Sequence, residues 1–139
     1  MLKTKEIVVF VAFASIGLLI NPLTVLAEQC VDGVAAMAPW TKSIRNDRRA
    51  NAKRWPDIAR SQRFTVDHTP ENGAVLVYPE TYGNGIDKTN GHVALIINKD
   101  PDKKGKITIK DSNGICGGDR RQCQVSAPNW NNVWVIHPR

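Results

Sequence analysis

Hydrophobic and polar positions divide the chain into three stretches. An apolar run from Ile7 to Ile20 follows a positive start at Lys3 and Lys5. After it, Val31, Val34, Ala35 and Ala38 recur at the spacing that lines one face of a helix, which Pro39 ends. The segment 43–63 is rich in arginine, alanine and asparagine; it predicts a short helix around Arg48–Arg54, a break at Pro56 and a second turn through Asp57, Ile58 and Ala59. Beyond Phe64 the period changes to that of strands. Thr69-Pro70-Glu71-Asn72-Gly73 is a turn signal, followed by the strand-length run Ala74–Tyr78 and closed by Pro79. His92–Ile97 reads as a buried strand with His92 at its entrance. Lys106–Lys110 alternates as a half-buried strand does, and Val133–Ile136 supplies a last one. Helices first and consecutive antiparallel strands afterwards predict an α+β domain, not alternating βαβ units.

The apolar amino terminus does not belong to that domain. Lys3, Lys5, the run 7–20 and then Val25-Leu26-Ala27 have the order of an export signal cleaved after Ala27. An uncleaved anchor is the competing reading, since the stretch extended to Ala27 approaches the roughly 20 residues that span a bilayer. Cleavage is the expected outcome, leaving one domain over residues 28–139, secreted or periplasmic, with no stable membrane span and acting as a monomer. The formal net charge is +6, which attracts an exported protein to anionic surfaces such as wall polymers or membrane lipid. Export argues against nucleic acid as the target.

Three cysteines, Cys30, Cys116 and Cys123, change the picture further. An odd number cannot all pair. Cys116 and Cys123 flank a short polar segment that can loop back and let them bridge, which leaves Cys30 as a thiol in a compartment where thiols oxidise. Such a thiol points to chemistry; an intermolecular disulfide or an incidental buried thiol is the plainer alternative. Cys30 is expected in the first turn of its helix, where unpaired amides and the helix dipole stabilise a thiolate. A thiol nucleophile needs a base, and the base needs a third group to orient it. His92 at a strand start and Asp111 or Asn113 at the end of the adjoining strand become neighbours if the turn 100–105 makes a hairpin. His68 and His137 are expected to be surface residues, and the tryptophans to serve the core. Asp100 and Asp102 fail the calcium-loop spacing, and clustered histidines or cysteines at zinc-ligand spacing are missing, so no metal or other cofactor is expected.

Cys30 opening an apolar helix, Asn51-Ala52 and Trp55, Pro70 with Gly73-Ala74-Val75, Gly91-His92-Val93-Ala94, and Ile107-Thr108-Ile109-Lys110-Asp111-Ser112-Asn113 together resemble the cysteine, histidine-dependent amidohydrolase/peptidase (CHAP) family. The resemblance spans essentially all of 28–139. It implies a papain-like fold, peptidoglycan as partner, and hydrolysis of its amide bonds. Matched position by position, it implies Cys30 as nucleophile, His92 as base, Asp111 as the acid that orients the histidine and Asn113 as its polar companion. The chain departs from the family pattern at Val31-Asp32-Gly33, where a helix-weakening glycine stands early, and in the segment bounded by Cys116 and Cys123. Gln29 is a candidate to help bind an oxyanion. An acid or amide near residue 111, where a second histidine would be expected, leans against an NlpC-type peptidase. The reading from a different class is a non-catalytic wall-binding module or secreted effector on the same scaffold.

Overall fold

A computed structural model describes residues 22–83 and 85–139, with side chains from Cys30 onward. The expected export signal therefore lies outside the described residues, apart from 22–27. Helix α1 runs Pro22–Met37, followed by α2 (Lys42–Arg45) and α3 (Trp55–Ser61), with single 3-10 turns at Pro39–Thr41 and Ala52–Arg54. The strands are β1 (Val66–Asp67), β2 (Val75–Tyr78), β3 (His92–Asn98), β4 (Lys106–Asp111), β5 (Arg121–Ser126) and β6 (Trp134–Ile136). They form one six-stranded sheet in the order β1-β6-β2-β3-β4-β5, every pair antiparallel. The fold is α+β, with short helices packed on an antiparallel sheet.

Alternation along the strands explains the two cores. Val75, Val77, Val93 and Ile136 pack against the helices with Val31, Val34, Ile44, Trp55 and Ile58. Leu76, Tyr78, Ala94, Ile96, Ile107 and Ile109 form a second cluster with Ile86 and Val133. Residues one apart on a strand point to opposite faces, so β2 is buried on both sides and holds the centre of the domain. Along α1 the stripe Val31, Val34, Ala35 and Ala38 is buried while Asp32 and Ala36 face solvent, the period expected from the sequence. Trp55 is wholly buried, whereas Trp40, Trp130 and Trp134 are half-buried at the margins.

Several expectations need correction. The helix expected around Arg48–Arg54 is a turn followed by the 3-10 turn at 52–54, and α3 begins at Trp55 with Pro56 in its first turn, where its missing N–H costs nothing. β5 replaces much of the loop expected between the cysteines and beyond. Gly33 is not merely a weak point in α1. A methyl group there would come within 2.1 Å of the Ser112 hydroxyl, so the glycine lets the helix close onto the β4 end of the sheet.

His68 and His137 are tied down, not loose on the surface. His68 stacks on Trp134 at 4.2 Å between ring centroids, and its Nδ1 lies 2.7 Å from the Val133 carbonyl. His137 donates through Nε2 to Asp67 at 2.7 Å and through Nδ1 to Glu71. Both ring nitrogens face carboxylates, so the bonded form is the imidazolium. Burial alone would lower the His137 pKa, but the bonds to Glu71 and Asp67 outweigh it and raise it above 6.5. For Asp67 burial opposes and the His137 and Thr69 bonds prevail, so its carboxyl titrates below 3.8. A raised histidine value contributes stability that is complete below 6.5 and lost as pH climbs through the raised value; the lowered Asp67 value sets the acid limit. His137→Gln is thus expected to depress the melting midpoint most at mildly acidic pH and least in alkaline buffer. A wild-type-minus-variant gap that stays constant with pH would contradict this clamp.

Candidate active site

His92 opens β3 and Asp111 closes β4, and antiparallel pairing brings these two ends together. Gly91 makes the approach to His92 possible. Its φ is +70°, and a methyl group there would lie 2.5 Å from the Tyr78 carbonyl, so a side chain is excluded by both backbone and space. Helix α1 lies across this end of the sheet and brings Cys30, fully buried, into hydrogen-bond contact with the His92 ring.

The histidine is held from both sides. Its Nε2 donates to Asp111 Oδ2 at 2.7 Å, which leaves Nδ1 as the nitrogen able to exchange a proton with the thiol. Asp111 is wholly buried and would be costly if unsatisfied. Two backbone amides complete its shell: Ile115 N–H donates to Oδ2 at 2.8 Å and Cys116 N–H to Oδ1 at 3.2 Å. Burial pulls the His92 pKa down, yet the bonds to Asp111 and Cys30 and their charges more than reverse it, to about 9. The site thus favours a proton on the imidazole.

Other expected residues are placed differently. Asn113 turns away from the histidine: its side-chain amide donates to Asp119 Oδ1 at 2.9 Å and its backbone amide to the Gly118 carbonyl at 2.8 Å. Asp111, not Asn113, therefore touches the ring. Cys116 and Cys123 are joined as a disulfide across the β4–β5 connection. Gln29 lies outside the described side chains. Cys30 is not in the first turn of its helix, because α1 runs Pro22–Met37 and about two turns of it precede Cys30.

Residues that sequence reasoning missed sit in the segment after Asp111. Gly114 abuts the His92 ring, and Ile115 and Cys116 act through their backbone amides. Asp-Ser-Asn-Gly carried a usable signal, since an aspartate ahead of such residues often accepts from amides that follow it. Two recesses flank the site. Asp32, Gly33, Ser112, Asn113, Asp119 and Arg120 line a polar one beside α1. Tyr78, Tyr82, Ile86, Ile115, Val125 and Ser126 line a second one of mixed character. Burial, with the nearby Tyr82 and Asp111 adding to it, pushes the Tyr78 phenol upward and keeps it neutral.

With this geometry in view, the relationship to known proteins is direct. The CHAP domain model matches residues 21–113, more than half of the chain. The chain belongs to the CHAP domain family. No curated protein matches it. Among solved structures, an N-acetylmuramoyl-L-alanine amidase from Staphylococcus aureus is similar in fold, with 23% identity and a TM-score of 0.61, over 81% of this chain and 30% of that one. This CHAP domain thus spans 30% of the length of that amidase. The family match ends at Asn113, so the disulfide-bounded segment and β5 and β6 lie beyond it.

Proposed function

We propose that this CHAP domain is a cysteine amidohydrolase or peptidase that hydrolyses amide bonds of peptidoglycan, with Cys30 as nucleophile, His92 as base and Asp111 as the residue that orients the base. One observation carries the reading: a buried thiol, an imidazole and a carboxylate in hydrogen-bonded sequence, with the imidazole proton-rich. The thiolate attacks the carbonyl carbon of the amide and forms the C–S bond. His92 gives its proton to the departing nitrogen as the C–N bond breaks, then takes a proton from the water that attacks the thioester. The C–S bond breaks as water becomes the hydroxyl of the released acid, and sulfur leaves as the thiolate beside the reprotonated imidazole. The family membership and the fold shared with an N-acetylmuramoyl-L-alanine amidase support this substrate.

The export signal over 1–27 belongs to the same proposal. Within a helix each N–H bonds the carbonyl four residues earlier, so the Cys30 and Val31 amides pair with Leu26 and Ala27. Cleavage after Ala27 removes those partners and returns Cys30 to a first turn, where its amides are available to an oxyanion. The mature protein then works outside the producing cell's cytoplasm.

Mass spectrometry of peptidoglycan digested with the signal-free protein tests the reading. New free amino groups with matching product masses are expected, and they identify the bond cut. Retention on insoluble wall without any released amine would replace the enzyme by a binding module. Hydrolysis should also fall as pH rises through about 9, because the imidazole there loses the proton it must deliver to the leaving nitrogen. A rate that keeps rising well past that pH would remove His92 from the role of acid.

A further inference from the structure

Resting on the catalytic reading above, we propose that the disulfide-closed segment between β4 and β5 is a positioning device for His92, with Gly114 as its contact residue. A methyl group on Gly114 would come within 2.1 Å of His92 Cε1, 2.5 Å of Nε2 and 2.9 Å of Nδ1. Gly114 is exposed while the ring it abuts is only 6% exposed. The backbone of this residue therefore lies against the edge of the ring that carries both working nitrogens. No other residue type leaves the ring where it is. Displacing it would lengthen the bond to Asp111 on one side and the contact with Cys30 on the other.

The rest of the segment keeps Gly114 in that place. Gly117 N–H donates to the Gly114 carbonyl at 3.2 Å, Asn113 N–H to the Gly118 carbonyl at 2.8 Å, and Arg120 N–H to the Ser112 hydroxyl at 2.9 Å. Ile115 and Cys116 lend their amides to Asp111. Cys116 is then bonded to Cys123, which faces Ile109 across the β4–β5 ladder. The disulfide thus ties the amides that hold the carboxylate to the strand next to the one that carries it. One short closed segment sets the positions of ring and carboxylate together, and from Gly114 onward it lies outside the part of the chain matched to the family.

Gly114 is a positioning residue, and its test uses a readout that overall stability does not move. Cys30 is the thiol that remains when Cys116 and Cys123 are bonded, so iodoacetamide reports on it: sulfur displaces iodide and forms the carbon–sulfur bond. In the intact protein the rate against pH should show the limb set by the Cys30–His92 pair. Gly114→Ala is expected to lose that limb and follow the His92→Ala profile, with circular dichroism unchanged. Against wall substrate its kcat should drop about 100-fold, the size expected for a displacement on the order of 1 Å, with KM little changed. A Gly114→Ala profile that superimposes on the wild type overturns the proposal. Should that variant not fold, the double variant Cys116→Ser, Cys123→Ser, with its other thiols removed, should shift the limb partway toward the His92→Ala profile; an unshifted limb overturns the proposal. If the wild-type protein cleaves no peptidoglycan, the substrate reading fails while the alkylation profiles still decide the role of Gly114.

Discussion

Cys30→Ala is expected to abolish peptidoglycan hydrolysis, lowering kcat by on the order of a million-fold, the scale seen when the covalent nucleophile of a serine protease is deleted. The prediction is sharp because the same change should hardly disturb the fold. Cys30 is fully buried among Val31, Val34, Val77 and Val93, and removing its sulfur leaves a void of about one heavy atom. Such a void costs about 1 kcal/mol, against the roughly 5–15 kcal/mol that holds a domain together. The variant should therefore melt as one cooperative unit close to the wild-type midpoint and still adsorb to cell wall. Loss of amine release with retained wall adsorption separates chemistry from binding. Full hydrolysis by the alanine variant would transfer the reaction to another residue and end the assignment.

The part of this site that could be read from the chain is the part that follows strand periodicity. His92 and Asp111 are recognisable as neighbours because the charged turn at 100–105 joins two segments whose apolar positions alternate or run together, and hairpin geometry does the rest. Helix α1 is likewise legible on its buried face. Its start is not, since the residues before Cys30 continue the helix without any break, and a cleavage site is not a helix signal. β5 escapes for a physical reason: as an edge strand it is exposed along most of its length, so Arg121-Gln122-Cys123-Gln124 carries no apolar alternation. The final strand poses a different difficulty. β6 inserts between β1 and β2, and the order of elements along the chain says nothing of that crossing.

The two glycines that matter most show a related limit. Gly33 reads as a flaw in a helix and Gly114 as a turn residue, yet each marks a place where backbone must meet another side chain closely, Ser112 in one case and His92 in the other. Close approach is a property of two segments at once. A single chain position cannot display it until both are placed. His137 makes the same point with charge, because Asp67 and Glu71 lie far from it in the sequence and only the β1–β6 pairing brings them within reach.

The second large effect concerns Asp111→Asn. The carboxylate receives three N–H donors, from His92, Ile115 and Cys116, and donates none. An asparagine of the same shape can offer one oxygen. Kept toward His92 and Ile115, that oxygen leaves an NH2 group facing the Cys116 amide, two donors in opposition. Turned the other way, the NH2 confronts the imidazole and forces it to accept through Nε2, which moves the ring hydrogen to Nδ1 and blocks the nitrogen that must take the thiol proton. Either arrangement leaves a buried group unsatisfied, at about 1–3 kcal/mol, and removes the charge that stabilises the imidazolium. The expected loss in kcat is on the order of 10,000-fold, as for an orienting acid whose replacement favours the wrong tautomer. The histidine supplies an independent readout. Burial already pulls its pKa downward, and the Asp111 bond is the foremost influence against it, so in the variant the value should fall from about 9 toward the acid side. Imidazole resonances followed by NMR against pH would register that movement even in an inactive protein. If the midpoint stayed near about 9 with the amide in place, Asp111 would be a packing residue, and the thiol contact alone would have to account for the protonated ring.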